Sequence, residues 1–209
     1  MADSLPSSKR RRTDHPEAQS DTAVSSNLKN LSPLVVFAHG AGAPSSSDWM
    51  IRWKEMLGKA LQAVEVVTFD YPYLACGKKG VPPKAERLVD FHADVVRKAV
   101  DRYPDHPLIL AGKSMGARDR KELYEMRYWF SSQFLSCLCS KDGLCPLDKL
   151  KSVRKRMKSI NDLHVIDGGD HSFKIAKKHL QATEATQNDA EESAVQSIAS
   201  FISNSLFKS

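Results

Sequence analysis

The sequence lacks the marks of a membrane or secreted protein. None of its 209 residues lies in an apolar run of about 18 residues, the length that a membrane-spanning helix needs. The basic residues near the N-terminus are not followed by an apolar segment, so we expect no secretory signal. The composition, 41% hydrophobic and 27% charged, is ordinary for a globular protein, and the length predicts one domain plus tails.

Cysteine is scarce, with Cys76, Cys137, Cys139 and Cys145 as its only occurrences. Without a secretory signal, we expect a reducing compartment and free thiols. Paired C-x-x-C knuckles are absent, and no histidine follows the cysteines at zinc-finger spacing. The sequence therefore predicts neither a metal site nor a cofactor.

Aromatic residues are few, at 8% of the chain, while two basic clusters supply much of the net charge of +6. The cluster at residues 149–156 has no interleaved aromatic residue, so it predicts the solvated face of a helix over Pro146–Met157 and no nucleic-acid binding. The inward face of that helix is predicted to hold Leu147, Leu150, Val153 and Met157. The other cluster, Lys9–Arg12, resembles a nuclear-import signal, so we expect a cytoplasmic or nuclear protein, or both.

The chain divides into a tail and a domain. Residues 1–32 are rich in Ser, Asp and Pro and predict a disordered tail, and residues 33–209 form the domain. Three apolar runs predict buried strands, at residues 34–38, 64–69 and 107–111. Helical spacing of apolar residues follows the first two runs, from Asp48 and from Leu88, so the pattern predicts a parallel sheet with helices on both faces. Further on, the pattern predicts strands at 134–139 and 163–166 and helices at 121–130 and 190–206.

A G-x-S-x-G motif follows the third strand directly, as Gly112-Lys113-Ser114-Met115-Gly116. In this context the chain must turn sharply, which leaves the serine strained and exposed, and the two glycines relieve the crowding. Ser114 is therefore the candidate nucleophile, with a plain loop serine as the alternative. Lys113 is expected to point to solvent, unless it favours an anionic substrate.

Asp142 and His171 are the candidate partners of Ser114. The order Ser, Asp, His is the one that this motif uses, and both residues follow predicted strands, as Ser114 does. A serine hydroxyl needs an imidazole to take its proton, and the imidazole needs a carboxylate to fix its tautomer. Three alternatives stay open: Asp142 caps the following helix, Asp167 or Asp170 is the acid, or His171 is a loop histidine without a catalytic role.

An oxyanion hole completes the predicted site. It requires one backbone N–H from the residue after the nucleophile, here Met115, and one from a loop after an early strand. The loop after the first strand supplies the second donor, predicted to be Ala41. We assign His39, Gly40 and Gly42 to the same substrate loop, and we expect His39 to shape the loop and not to act as a base.

These segments together resemble a known group of proteins. They are 36–43, 69–73, 112–116, 140–146 and 168–173. They look like the α/β-hydrolase family that includes the testis-expressed hydrolase-like proteins and the third regulatory subunit of the NSL histone-acetyltransferase complex. The resemblance runs over about residues 34–117 and 140–206. It implies an α/β-hydrolase-like fold with Ser114, Asp142 and His171 as a triad, and a serine hydrolase that cleaves an ester, thioester or amide of a small-molecule acyl substrate.

The resemblance breaks between residues 118 and 139. Asp142 follows Ser114 by only 28 residues, and one strand–helix–strand crossover takes about 30, so there is room for one and not two. The charged run 119–122 stands where a buried helix is expected. We therefore predict that one βα unit is missing, as in a splice variant or a misassembled gene model. A strand around Cys137 that filled the vacancy would shift Asp142 by about 4.8 Å, too far for a hydrogen bond to the imidazole unless loops compensate, so we expect reduced activity and stability.

A second function class competes with the enzyme. The broken segment and Lys9–Arg12 also fit a catalytically inactive α/β-hydrolase fold that binds protein partners in a nuclear complex. Direct nucleic-acid binding, the third class, rests on net charge alone. Labelling of Ser114 by a fluorophosphonate discriminates the first class from the other two.

Overall fold

The structure is a computed structural model that describes residues 32–75, 82–118, 134–158 and 160–207. The predicted tail (up to residue 31), Cys76, most of the loop 77–83 and the predicted helix 121–130 lie outside the described residues. The strands are β1 Leu34–Ala38, β2 Glu65–Phe69, β3 Leu108–Gly112, β4 Phe134–Cys139 and β5 Asn161–Ile166. The helices are α1 Asp48–Leu61, α2 Pro72–Ala75, α3 Val89–Arg102, α4 Met115–Arg118, α5 Leu147–Arg154, α6 Lys177–Ala182 and α7 Gln187–Phe207, with a 3-10 turn at Ala85–Arg87.

Strand β1 is the centre of a three-stranded parallel sheet in the order β2-β1-β3. Val36 lies opposite Val67 of β2 and opposite Leu110 of β3. All five residues of β1 are buried, as expected for a strand that is covered on both faces. The parallel sheet that the apolar runs predict is confirmed.

Helices cover both faces of this sheet, because alternate residues of a strand point to opposite sides. Val35 and Phe37 pack on one face with apolar residues of α1 and α7. Leu34 and Val36 pack on the other face with apolar residues of α3. The predicted layering is confirmed, and it places the carboxyl ends of β1 and β3 at one edge of the sheet.

Strands β4 and β5 form a separate parallel pair, with Cys137 opposite His164. Within the described parts of the chain, β4 does not pair with β3. The strand around Cys137 therefore does not pair with β3, as it would have done by filling the vacancy. The absence of one βα unit stays a prediction, because residues 119–133 lie outside the described residues.

Helix α5 is shorter than predicted, and the prediction of which residues face inward is partly wrong. Most of its basic residues are exposed, but Arg154 is half-buried and donates hydrogen bonds to the side chain and the carbonyl of Asn161, at 2.9 and 3.1 Å. Val153, predicted to face inward, is 47% exposed. The helix lies beside the edge strand pair, so little apolar surface is available to cover it. Among the described helices, none combines the length and the apolar character that crossing a bilayer requires.

Candidate active site

Ser114 lies in a strained turn between β3 and α4. Its φ is +53°, the left-handed region that residues other than glycine seldom adopt. The turn closes on β1, since the Lys113 N–H donates to the Ala38 carbonyl at 3.0 Å. A Cβ on Gly116 would lie 2.6 Å from the His39 carbonyl oxygen and 2.8 Å from the Ala38 Cβ. Only glycine fits there, which accounts for the second glycine of the motif.

The structure brings Ser114, Asp142 and His171 into contact. The His171 Nε2 lies 3.0 Å from the Ser114 Oγ, and its Nδ1 lies 2.8 Å from the Asp142 Oδ2. The His171 side chain is 33% exposed, while that of Asp142 is 6% exposed. The three residues follow β3, β4 and β5. Because β4 pairs with β5, Asp142 reaches the imidazole, and the lateral shift that we derived for a strand in the vacancy does not arise.

Asp142 divides its two carboxylate oxygens between two tasks. Its Oδ1 accepts hydrogen bonds from the N–H groups of Leu144 and Cys145, at 2.8 and 3.0 Å, and its Oδ2 accepts from His171. Burial by itself would raise the pKa of Asp142, but the hydrogen bonds from His171, Leu144 and Cys145 outweigh it and lower the pKa. Asp142 thus orders the turn before α5 and contacts the imidazole as well. It does not cap the helix, whose N-cap is Pro146 without a side-chain hydrogen bond.

Ser140 joins the loop that carries Asp142 to the loop that carries His171. Its hydroxyl donates to the Asp167 Oδ1 at 2.7 Å and accepts from the Gly168 N–H at 2.8 Å. One residue later, the Lys141 N–H donates to the Gly169 carbonyl at 3.0 Å. These bonds fix the two loops relative to each other, which keeps the imidazole and the carboxylate in register.

The alternative acids contact other groups. The Asp167 Oδ2 lies 3.2 Å from the His179 Nε2. The Asp170 Oδ1 accepts from the N–H groups of Ser172 and Lys174, at 2.8 and 3.0 Å. Asp167 therefore links its loop to Ser140 and His179, and Asp170 orders its own loop. In the described residues, the carboxylate bonded to the His171 imidazole is that of Asp142.

Helix α7 supports the loop that carries the imidazole, which sequence reasoning missed. The Gln187 Nε2 donates to the Phe173 carbonyl at 2.7 Å, and its Oε1 accepts from the Ile175 N–H at 3.0 Å. Gln187 also donates to Glu191 at 2.9 Å, and the 1%-exposed Glu191 accepts two bonds from Arg52 of α1, at 2.7 and 2.8 Å. The i, i+4 spacing of Gln187 and Glu191 was visible in the sequence, but their loop partners were not.

The substrate loop lies against the nucleophile turn. His39 is fully buried, its Nε2 accepts from the Tyr71 N–H at 3.1 Å, and its Nδ1 lies 2.6 Å from the Gly40 carbonyl oxygen. An imidazole with both nitrogens engaged in this way shapes the backbone. A Cβ on Gly40 would lie 3.4 Å from the Lys113 carbonyl oxygen and 3.6 Å from the Ser114 Cβ. The loop thus passes directly beside the serine.

Ala41 and Met115 flank the serine from the loop and from α4. The Tyr73 hydroxyl donates to the Ala41 carbonyl at 3.3 Å, which fixes that peptide. Among the described residues, neither the Ala41 nor the Met115 N–H donates to a protein acceptor. A Cβ on Gly42 would meet no atom within 4 Å, so the end of the loop is open.

Lys113 does not point to solvent, and that expectation is wrong. Its Nζ lies 4.0 Å from the centroid of the Trp49 ring and 5.6 Å from that of Phe173. Burial lowers the pKa of Lys113, against an opposing effect of Asp170. A cation over an aromatic face is stabilised by the ring quadrupole, and the two rings come from distant parts of the chain, which a local pattern does not show.

Three described cysteines lie near the site. Cys137 and Cys139 are free thiols. Burial raises the pKa of both Cys137 and Cys139 to about 12. In the described part of the chain, no three His, Cys, Asp or Glu side chains come together as metal ligands.

A comparison with protein families finds one described as "Alpha/beta hydrolase domain", which matches residues 32–131. A comparison with curated protein sequences gives no significant match. The family matched therefore covers β1 to the segment beyond the nucleophile turn. The finer resemblance to the testis-expressed hydrolase-like proteins stays a prediction.

Solved structures resemble the chain over most of its length. A candidate alpha/beta hydrolase of unknown function from Agrobacterium tumefaciens aligns with a TM-score of 0.63 at 14% identity, covering 85% of this chain and 87% of that one. An alpha-beta serine hydrolase homologue from Coxiella burnetii aligns with 0.56 at 18%, covering 79% and 84%. An a/b serine hydrolase without a lid from Xanthomonas campestris aligns with 0.52 at 17%, covering 79% and 80%. At these identities the likeness establishes the fold.

Proposed function

Since this chain has the α/β-hydrolase fold, we propose that it is a serine hydrolase that cleaves an ester, thioester or amide bond of a small-molecule acyl substrate through an acyl-enzyme. One observation carries the proposal: a single imidazole, that of His171, is hydrogen-bonded to the Ser114 hydroxyl and to the Asp142 carboxylate. The left-handed φ of Ser114 supports it further, because this strained turn exposes the hydroxyl at the end of the strand.

In the first half of the reaction, the Ser114 Oγ attacks the substrate carbonyl carbon while the His171 Nε2 takes the hydroxyl proton. The Nδ1–H of the imidazole donates to Asp142, which holds the tautomer with an unprotonated Nε2 and balances the imidazolium that forms. The lowered pKa of Asp142 keeps its carboxylate ionised at neutral pH for this purpose. The imidazolium then gives its proton to the leaving group, and the carbonyl–leaving-group bond breaks to leave an acyl-serine.

The N–H groups of Ala41 and Met115 are the proposed oxyanion hole. They flank Ser114 from the loop and from α4, and no described protein acceptor engages them. Two such donors, aimed at the oxygen on which charge develops, contribute about 3–4 kcal/mol each to transition-state binding. His39, Gly40 and Gly42 give the loop its path.

In the second half, water replaces the leaving group. The neutral His171 takes a proton from the water, whose oxygen attacks the acyl carbonyl carbon, and the serine–acyl bond breaks as Ser114 recovers a proton. The products are a carboxylic acid and the free enzyme. His171 is the residue that accepts and returns the proton in both halves of the scheme.

Labelling with a fluorophosphonate tests the proposal, because this probe reacts with an activated serine. We expect the full chain to be labelled and the Ser114→Ala variant to be unlabelled. Ser172→Ala is the matched control, since this exposed serine lies beside His171 and has no role in the scheme. Equal labelling of the full chain and of Ser114→Ala would refute the proposal.

Two predictions from the sequence stay open. The inactive interaction module in a nuclear complex and the nuclear location depend on Lys9–Arg12, which lie outside the described residues. Persistent binding of nuclear proteins by Ser114→Ala, together with an unlabelled wild-type chain, would favour the module over the enzyme.

A further inference from the structure

A cavity of about 350 Å³ begins at the candidate active site and lies between β3 and β4. Every residue of β3 lines it, as do Leu135 to Leu138 of β4. Its volume is within the range of about 300–1,000 Å³ that small-molecule pockets occupy.

The cavity is long as well as large. Ser114 and His171 line its upper end, and Leu108 and Leu61 line its lower end. Leu108 and Gly112, the two ends of β3, are four residues apart, which corresponds to about 13 Å along an extended strand. A ligand that reacts at the serine therefore has room to extend along the whole of β3.

The walls below the site are apolar. They include Phe37 of β1, Trp53 of α1, Ile109 of β3 and both Ile198 and Phe201 of α7. In the described lining, the amine, carboxylate and imidazole side chains are those of Lys113, Asp142 and His171, all at the serine end. The Lys113 amine contacts the Trp49 ring near the serine end of the cavity, so its charge does not extend into the lower part of the cavity.

We propose that the acyl group of the substrate is an unbranched fatty acyl chain, with its carbonyl at Ser114 and its hydrocarbon tail along β3. An apolar space that runs along a strand suits a linear hydrocarbon better than a branched or polar acyl group. The inference rests on the proposed hydrolase function, whose substrate class it names. Each methylene that enters the cavity contributes about a fourfold gain in kcat/KM, which corresponds to about 0.8 kcal/mol.

A series of p-nitrophenyl esters tests the inference on the full chain. We expect kcat/KM to rise from acetate through butyrate and octanoate to laurate, by about fourfold per methylene until the cavity is filled. A branched pivalate ester is expected to be a poorer substrate than the butyrate. A flat profile, or one that falls from acetate onward, overturns the inference.

Filling the lower cavity tests its location. Ile198→Trp adds an indole to the wall far from the serine, so we expect the laurate-to-acetate ratio of kcat/KM to fall by at least about tenfold. Ile51→Trp is the matched control, since Ile51 is exposed on α1 and does not line the cavity. It should leave the ratio unchanged. An equal loss for both esters in Ile198→Trp would place the tail elsewhere and overturn the inference.

Binding to Ser114→Ala separates a failure of the inference from a failure of the proposed function. A dansyl-labelled undecanoic acid should bind this variant with enhanced fluorescence, and Ile198→Trp in the same background should weaken that binding by about tenfold. Binding of the fatty acid without fluorophosphonate labelling of the wild type would refute the proposed hydrolase function but support the cavity as a fatty-acyl binding site. Labelling without binding would keep the hydrolase and overturn the fatty-acyl tail.

Discussion

Replacing Asp142 with asparagine changes the charge of the candidate acid while preserving the turn around it. The two N–H donors at Leu144 and Cys145 both point at the Oδ1, so the amide oxygen of asparagine must occupy that position. The amide nitrogen then takes the place of the Oδ2 and presents its N–H groups to the His171 Nδ1. That nitrogen must become the acceptor, so the proton moves to the Nε2 and faces Ser114. The imidazole is left in the tautomer that cannot take the hydroxyl proton.

The expected loss is large for activity and small for stability. A wrong tautomer in a serine triad lowers kcat by about 10⁴-fold, and we expect that order of decrease for Asp142→Asn in ester hydrolysis. The fold should lose only about 1 kcal/mol, because the bonds from Leu144 and Cys145 persist and the bond to His171 is replaced by one between neutral groups with donor and acceptor exchanged. The assay is a progress curve with a p-nitrophenyl ester, read beside urea unfolding of both proteins.

The pH dependence of that stability difference has a definite sign. The folded-state pKa of Asp142 lies below the ordinary value of 3.8, so the ionised carboxylate stabilises the fold above that value. The contribution is lost as the pH falls through the folded pKa. Wild type and Asp142→Asn should therefore differ most near neutral pH and converge in acid.

Asp170→Asn is the matched control, because its Oδ1 makes a similar turn with two N–H donors and does not contact the imidazole. It should keep kcat within about threefold of wild type, since it changes a neighbouring charge and not the tautomer. If Asp142→Asn retains more than a tenth of the activity, or if both variants lose the same amount, the assignment of the acid is wrong.

Three further predictions concern the scaffold. Gly116→Ala should destabilise the fold by about 1–3 kcal/mol in urea unfolding, because its Cβ would meet backbone atoms. In the control Gly143→Ala the Cβ would meet nothing within 4 Å, so this change should cost less than about 0.5 kcal/mol. Equal costs for the two variants would contradict the packing argument. Arg52→Met should cost about 3–5 kcal/mol by leaving a buried carboxylate unpaired, and Glu191→Gln should cost less because Arg52 is 41% exposed; the reverse order would be inconsistent with this account. Burial raises the pKa of Cys139 to about 12, so iodoacetamide at pH 8 should leave this thiol unmodified in the native state. Peptide mass mapping measures the modification, and rapid alkylation of Cys139 would contradict its burial.

The sequence predicted the strands and the G-x-S-x-G motif because each depends on residues that are neighbours along the chain. The apolar run at 34–38 and the helical spacing from Asp48 each depend on neighbouring residues, and both elements formed where expected. The contact of Lys113 with Trp49 depends instead on the packing of α1 against the turn. Likewise, the order of Ser, Asp and His predicted the members of the site, but it did not predict that β4 would stay with β5 and keep Asp142 in reach.

The hydrogen bonds of Gln187 and Glu191 likewise depend on tertiary structure and not on local sequence. Each side chain reads as an ordinary polar residue of an amphipathic helix, and only the path of the loop after His171 gives Gln187 two backbone partners. Such long-range polar pairing follows from tertiary structure, because a polar group at a buried site takes whatever partner the fold provides.

The site is shared between a three-stranded sheet and a strand pair that are not hydrogen-bonded to each other in the described residues. Asp142 and His171 follow the strands of the pair, and Ser114 follows β3 of the three-stranded sheet. A slight separation of the sheet from the pair on warming would lengthen the serine–imidazole contact while the imidazole–carboxylate contact survives. Heat inactivation should then precede loss of helicity, and a phosphonate joined to Ser114, held from both sides, should delay it.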